Sequence, residues 1–486
     1  MYFLKGGLYV EGRITGNHFL NKKWLQLFLV VILFATGLFI PAPVSGLDDQ
    51  QWKTLLLLIV SIFLWSTKLL PLGVSSLFII AVMMTFNLAD SFSSAISGFI
   101  ASALYFVLIV SMISKVMVKV GLDQKIAGFI LRLSSGNIVR VLFGFILAAM
   151  VLPILMPSAV ARYRMFHPLI DSVNLFYELS EQSAFRRFCN WLFSGVNQFL
   201  TMIVLTGGGY PILASELLAE AGYTLTWVSW FLYMMPPVYI ATVIVIIYAF
   251  FYFRVGDELR QISYQQKAPS ELSDTIRREF ADLDVDKREM WIVLILMISM
   301  LVAWLLGSGT GLPTILPPII VLTILSLPGI RLFSDLDFRN FEWETFLLIG
   351  SAISLSNIVQ TTGTADWLAN LLFGWISPDY PSFLALFLLM AMVLLLRMFF
   401  TSPTGAIAVI LPLAVSFGHS LGLPVLSVAL LTILVIGTFM VLPIYSNTTI
   451  IANQSGVLVM KDYAVLGTVL MIAIMVSGLL AAYFLW

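Results

Sequence analysis

Apolar runs about twenty residues long recur from near residue 25 to the end of this chain, and they constrain its fold more than any other feature. A helix needs about 20 mostly apolar residues to cross the hydrocarbon core of a bilayer. Inside that core every backbone polar group must find its partner within the protein. Of the 486 residues 60% are hydrophobic and only 11% charged, and mean hydropathy is +0.99. The expected fold class is therefore an all-α polytopic membrane protein. A formal net charge of zero argues against nucleic acid as a partner. The single cysteine, Cys189, leaves no internal disulfide or cysteine metal cluster, and His18, His167 and His419 show no metal-binding spacing.

Hydropathy places about eleven transmembrane helices, near 25–42, 54–69, 72–89, 97–120, 188–212, 227–253, 290–307, 314–329, 343–362, 425–447 and 464–486. Lys5, Arg13, Lys22 and Lys23 precede the first, which reads as a membrane helix rather than a cleaved leader. Two further apolar stretches, 138–172 and 381–418, are too long for one helix, and each is broken near its middle. The breaks are Met156-Pro157-Ser158-Ala159-Val160 and Phe400-Thr401-Ser402-Pro403-Thr404. Each is followed by Pro-Leu, at Pro168-Leu169 and Pro412-Leu413. Each stretch reads as a re-entrant helical hairpin that enters the membrane, turns at the break and leaves on the same side.

Charge gives the orientation. Lys115, Lys119, Lys125, Arg132 and Arg140 precede the first hairpin and Arg186 and Arg187 follow it, which puts both its ends in the cytoplasm. The second hairpin has no Lys or Arg at its flanks, which fits an outer position. Residues 254–289 carry seven Lys or Arg and nine Asp or Glu and read as a cytoplasmic linker, partly helical. The chain then divides into an N-terminal segment with the first helix (1–50), a first repeat (51–253), the linker, and a second repeat (290–486). Each repeat holds five spans and one hairpin. Five is odd, so the second is upside down, an inverted-topology repeat with a cytoplasmic N-terminus. Val120-Gly121-Leu122 with Ile126-Ala127 resembles Thr362-Gly363-Thr364 with Leu368-Ala369, although chance similarity between apolar segments is the competing explanation.

Two more breaks follow the hairpins, Thr206-Gly207-Gly208-Gly209-Tyr210-Pro211 and Tyr445-Ser446-Asn447-Thr448-Thr449. Unwound carbonyls at such places can hold a cation, and half-helix N-termini present N–H groups to an anion. The candidate substrate-binding residues are Ser158, Arg162, Thr401, Ser402, Thr404, Asn447 and Thr448. The candidate cation-binding residues are Ser158, Thr206, Gly207, Gly208, Ser402, Thr404, Ser446 and Asn447. Ordinary kinks and close helix packing are the plain alternative. Arg162, Arg164 and Arg397 flank the hairpin breaks. A guanidinium suits a carboxylate or sulfate, yet it can equally brace helix carbonyls or reach the surface. Carboxylates are nearly absent from the spans and no base accompanies the serines, so neither a proton relay nor an enzyme is expected.

On these residues the chain resembles the divalent anion:sodium symporter family, the dicarboxylate and sulfate carriers of the ion transporter superfamily. The likeness runs from about residue 50. Gly350-Ser351-Ala352-Ile353 through Thr362-Gly363-Thr364-Ala365-Asp366-Trp367-Leu368-Ala369 resembles the segment before the family's outer hairpin. Ser402-Pro403-Thr404 with Leu411-Pro412-Leu413 falls on its Ser-Asn-Thr…Leu-Pro signature, and Ser158-Ala159-Val160 with Pro168 on the other copy. Asn453-Gln454-Ser455-Gly456 before Lys461-Asp462 resembles the segment before its last span. The resemblance implies two opposed hairpins with substrate between their tips, sodium ions beside each, a homodimer and an elevator motion. It implies a secondary active transporter of a small anion in the cell membrane, a dicarboxylate first and a sulfate-like oxyanion second. Sodium would be the coupling ion, with no further cofactor.

The departures are specific. Ala159 and Pro403 replace both signature asparagines, Val160 replaces a threonine, and Arg162 stands where a small residue is usual. Gly207-Gly208-Gly209 and Ser446-Asn447-Thr448 stand in place of Thr-Pro-Pro breaks. Arg162 is read as supplying in cis the positive charge that sodium supplies elsewhere in the family. The alternatives are a cation/proton antiporter or metalloid-oxyanion permease of the same superfamily, or a non-transporting membrane protein that keeps the fold.

Overall fold

Proline and glycine set where helices stop or bend in a chain this apolar, because one lacks an N–H and the other reaches conformations closed to other residues. In the computed structural model, residues 16–43, 46–67, 69–122, 125, 137–156, 158–263, 286–310, 312–339, 341, 343–400 and 403–486 are described. They are helical, with no strand among them. Helices of eight or more residues are numbered in chain order. The first half contains α1 (Gly16–Phe39), α2 (Asp49–Thr67), α3 (Leu72–Thr85), α4 (Ser102–Lys119), α5 (Ile138–Leu155), α6 (Ala159–Phe176), α7 (Ala184–Trp191), α8 (Gly209–Glu220) and α9 (Trp227–Tyr252). After α10 (Val255–Ser263), the second half contains α11 (Lys287–Thr310), α12 (Leu316–Ser326), α13 (Trp343–Thr361), α14 (Thr364–Phe373), α15 (Ser382–Arg397), α16 (Pro403–Ser420), α17 (Val425–Thr438), α18 (Asn447–Gln454) and α19 (Met460–Phe484).

Five helices are long and apolar enough to cross a membrane by themselves among the described residues: α5, α9, α11, α16 and α19. Helices α13 and α14 meet at 81° and together pass the same test. Among the described residues, four of the expected spans are instead shorter apolar helices: Trp24–Gly37 within α1, α3, α12 and α17. Breaks account for part of this: α17 stops at Thr438, five residues before Pro443. Two of the five long helices, α5 and α16, are arms of the expected hairpins. At 1.5 Å per residue their 18 residues span about 27 Å, so length alone does not separate a re-entrant arm from a span. On α11 the exposed large apolar residues are Trp291, Ile295, Ile298, Val302, Leu305 and Leu306, a stripe at helical spacing that widens at its end, as a lipid-facing helix presents.

The order of elements repeats. In each half three units are followed by a helix pair parted at its tip, a broken helix and a long helix: α2–α4, α5/α6, α7…α8 and α9, then α11–α14, α15/α16, α17…α18 and α19. One internal likeness seen in the sequence has a conformational basis. Gly121 and Gly363 both lie just beyond a helix end with left-handed φ, 61° and 67°. The N–H of Gly121 bonds to Val118 O and that of Gly363 to Gln360 O, each at 3.0 Å.

Packing falls into two sets. Helix α13 lies against α3 and against the tight turn Ser97–Phe99, where the Gly98 N–H donates to Ser354 Oγ at 2.9 Å. Helix α4 packs on α12 and α11 on α12 in the same set. In the other set α9 and α19 run together, and α17 packs on α15, α16 and α19. Lipid is as apolar as leucine, so tight contacts and hydrogen bonds hold such helices rather than a hydrophobic drive. Pro237 in α9 has no N–H for the carbonyl four residues back, and Trp486 Nε1 supplies the missing donor to Tyr233 O at 3.2 Å. Arg187, on the first arm of the first broken helix, reaches the wholly buried Asp462 at 2.7 Å and ties α7 to α19.

The linker begins as the helix α10. Its Val255, Leu259 and Ile262 are buried, and Glu258 accepts from Ala184 N and Phe185 N at 3.1 and 2.7 Å, capping α7. Linker residues 264–285 and the basic N-terminal residues Lys5 and Arg13 lie outside the described residues.

Candidate functional site

The first hairpin break forms where α5 runs out. Met156 is extended, and Ser158 caps α6 by accepting from Ala161 N at 3.2 Å. In the second break α15 ends at Arg397 and α16 starts at Pro403. Pro157, Thr401 and Ser402 lie outside the described residues.

The carbonyls at a helix C-terminus have no intrahelical partner and carry the negative end of the helix dipole. Two arginines, both 0% exposed, meet that need in the same way. Arg162, on α6, donates from Nη1 to Met156 O, from Nε to Asn197 Oδ1, and from Nη2 to Asn197 O at 3.2 Å. Arg397 donates from Nη1 to Phe400 O, from Nε to Ile436 O at 3.0 Å, and from Nη2 to Tyr445 O at 3.5 Å. Its guanidinium also lies over the rings of Phe439 and Tyr445, 5.7 and 5.3 Å from their centroids. Each arginine therefore ties the chain just after a helix end, at Met156 or Phe400, to the broken helix of its own half. Arg162 was expected to touch substrate; the structure uses all three of its nitrogens on buried acceptors and leaves it no accessible surface. This is the geometry of the bracing alternative. Sequence distance had placed Arg162 near the break without saying which way its side chain turned.

The first broken helix loosens in stages. A π turn, Leu192–Val196, leads through Asn197–Phe199 to 3₁₀ turns at Leu200–Ile203 and Leu205–Gly207, and α8 restarts after extended Gly208. A Cβ at Gly207 would stand 2.0 Å from Thr201 O, so no other residue fits this turn. Thr206 is buried and accepts from Trp227 Nε1 at 3.3 Å. The second broken helix restarts by a side-chain cap instead. Ser446 Oγ accepts from Thr449 N at 3.1 Å, and Thr449 Oγ1 donates to Pro443 O at 2.8 Å.

The two halves interlock. The restarted helix α8 packs on α16, the arm leaving the second tip, and α18 packs on α6, the arm leaving the first. Thr448 Oγ1 donates across to Ser194 O at 2.7 Å. Tyr210 lies near enough to Arg162 and to Arg397 to interact electrostatically with both. Through Asn197, Thr448, Tyr445 and Tyr210 the starts of α6, α8, α16 and α18 thus come together in one junction. Four helix starts supply backbone N–H groups and positive dipole ends, which is an anion's environment.

The expected site residues divide by access. Ser158, Gly208 and Thr404 are half-buried and Asn447 is exposed. Arg162, Thr206, Gly207, Ser446 and Thr448 are buried. Sequence reading missed Asn197, Gln198 and Tyr210. A signal for two of them was present: Asn190, Ser194, Asn197, Gln198 and Thr201 recur at three- and four-residue spacing inside an apolar run, a polar stripe on one helix face. A cavity of about 460 Å³ lies elsewhere, near the far end of α16, with Asp366, Ser416 and His419 among its lining. Its donors Tyr223, Gln360 and His419 share the lining with the carboxylate of Asp366, which repels an anion, so the junction is the stronger anion site.

Comparison with known proteins agrees with this architecture. Residues 21–486 match the family model described as the sodium:sulfate symporter transmembrane region. The chain is 23% identical to the L-tartrate/succinate antiporter of Escherichia coli (strain K12) over 496 aligned residues, covering 95% of this chain and 98% of that protein. It is 25% identical to the dicarboxylate transporter 2.1, chloroplastic, of Arabidopsis thaliana over 353 residues, covering 70% of this chain and 60% of the relative. Matched over nearly its whole length, the chain belongs to the divalent anion:sodium symporter family.

Proposed function

We propose that this protein is a secondary transporter of small carboxylate anions in a cell membrane, with a dicarboxylate as its first substrate class and sulfate as the second. The observation that carries the reading is the meeting of four helix starts at one junction. The relatives named for tartrate, succinate and dicarboxylate point to the same ligand chemistry. Ser158, Thr404, Asn447 and the N–H groups beginning α8 are the contacts assigned to substrate, because they combine hydrogen-bonding capacity with access. Nothing in this chemistry makes or breaks a covalent bond, so the protein acts as a carrier and not as an enzyme.

In this reading the repeated element order is an inverted repeat. Helices α5–α9 and α15–α19 carry the junction as one unit. They move, elevator fashion, against α2–α4 and α11–α14, in a homodimer with a cytoplasmic N-terminus. The two sets touch mainly where α8 meets α4, where α16 meets α13 and α14, and where α9 meets α11.

The coupling ion follows from the arginines. Carbonyls at a hairpin tip and an unwound helix are the groups that would coordinate sodium. Here Arg162 and Arg397 donate to such carbonyls in both halves. We read them as built-in cations that take the place of sodium, so that one carboxylate is exchanged for another without a sodium gradient. Exchange of labelled succinate in proteoliposomes, with sodium replaced by choline, tests this. Uptake that needs an internal dicarboxylate and ignores the replacement supports exchange. Uptake driven by a sodium gradient into empty vesicles would return the protein to sodium symport.

A further inference from the structure

We propose that Gln198 is a substrate-binding residue of the junction, donating from its amide Nε2 to a carboxylate oxygen of the transported anion. The inference rests on the carboxylate reading above and adds a residue that neither the sequence motifs nor the family resemblance singled out.

From Asn190 to Gly207 every residue is buried except Gln198, which keeps part of its surface. It stands in the short turn Asn197–Phe199, beside the asparagine that holds Arg162 and just before the helix unwinds. Its backbone is fixed: Gln198 O accepts from Thr201 Oγ1 at 2.7 Å and from Tyr210 OH at 3.4 Å. Its side chain is oriented from the other half of the molecule. Oε1 faces Thr448 Oγ1 at 3.4 Å, and Thr448 is itself anchored on Ser194 O at 2.7 Å. The acceptor end of the amide is thereby turned toward the start of α18. Nε2 has no hydrogen-bond partner among the described residues. Asn447, next to Thr448, is exposed at the first position of α18.

An amide nitrogen only donates, so it selects an acceptor-rich ligand. Both guanidinium groups of the junction are fully buried and bonded to protein acceptors. Neutral donors and helix N-termini must therefore do the binding. A hydrogen bond from an uncharged donor to a carboxylate is of the charge-assisted, stronger kind.

The test uses the full chain in proteoliposomes loaded with unlabelled succinate. Exchange of labelled succinate is measured for wild type, Gln198→Leu, Gln198→Glu and Gln198→Asn, with melting temperatures in detergent as a check on folding. For Gln198→Leu we expect KM to rise about tenfold with kcat within about twofold. Gln198→Glu places a carboxylate against the dianion and should raise KM at least about a hundredfold near pH 7.5. Partial burial and the neighbouring dianion raise the pKa of the introduced carboxyl, so as pH falls to about 5.5 a growing fraction takes up a proton, becomes a donor again and should recover affinity relative to wild type at the same pH. A purely structural role would lower kcat and KM together and show no such recovery. Gln198→Asn keeps the donor on a shorter arm and should fall between wild type and Gln198→Leu, which keeps the test decisive should the leucine variant fail to fold. A wild type that exchanges succinate while the variants match its KM overturns this inference alone. A wild type that exchanges no carboxylate overturns the carboxylate reading and this inference with it.

Discussion

The two halves of the junction meet one requirement with different side chains. In the first, Arg162 comes from the arm that leaves the tip and is held by both the side chain and the backbone of Asn197. In the second, Arg397 comes from the arm that enters the tip, finds backbone carbonyls and rests on the rings of Phe439 and Tyr445. The breaks differ as well: Gly207 makes the first by close approach to Thr201 O, and Ser446 makes the second by capping a restarted helix. What recurs between the halves is the need to neutralise helix-end carbonyls far from water. The residue that meets it is free to change.

This contrast orders the expected effects of mutation. Arg162→Ala should be the most damaging, because Met156 O, Asn197 O and Asn197 Oδ1 all lose their donor. At about 1–3 kcal/mol for each buried acceptor left unmet, the variant should melt well below wild type and lose exchange more than about a hundredfold. Arg397→Ala should cost less, since one of its three bonds is a long 3.5 Å. Equal losses from the two alanines, measured by detergent melts on one scale, would show that the halves are braced alike and break the contrast.

Asn197→Asp alters the charge beside Arg162 and also removes the Asn197 Nδ2 bonds to Ala159 O and Phe193 O, both 2.9 Å. The carboxylate keeps an acceptor for Arg162 Nε while cancelling its positive charge. With Ala159 O and Phe193 O left without that donor, stability should fall by about 2–4 kcal/mol, less than for Arg162→Ala, while exchange falls about tenfold or more. Exchange at the wild-type rate would mean that the charge of Arg162 has no part in transport. The smallest effect is expected for Ser446→Ala, which removes a helix cap and the hydroxyl pairings with Thr448 and Thr449, and it should cost about 1–2 kcal/mol in an unfolding titration. Gly207→Ala, with no room for its Cβ, should exceed it clearly.

Much of this architecture was legible in the sequence. The apolar runs, the helix breaks before Ala159 and before Pro403, and the breaks at Gly207 and Ser446 all follow from backbone chemistry, in which Gly, Pro and small polar residues cannot continue a helix in hydrocarbon. Gly121 and Gly363 were visible as a weak repeat, and their left-handed φ explains it. The orientation of Arg162 was not legible. A residue one turn beyond a break can face a cavity or the break's own carbonyls, and only the position of Asn197 decides between them. Gln198 was hidden for a related reason. Its exposure among buried neighbours depends on how α18 approaches from the other half, 250 residues away in sequence.

The most direct test of the account is the sodium dependence of succinate exchange by the wild-type protein, measured beside Arg162→Ala and Arg397→Ala. If the two guanidiniums stand in for sodium, exchange by wild type will be the same in sodium and in choline, and both alanine variants will lose it in choline. Wild-type exchange that collapses to background when sodium is removed, with Arg162→Ala unchanged, would contradict the account.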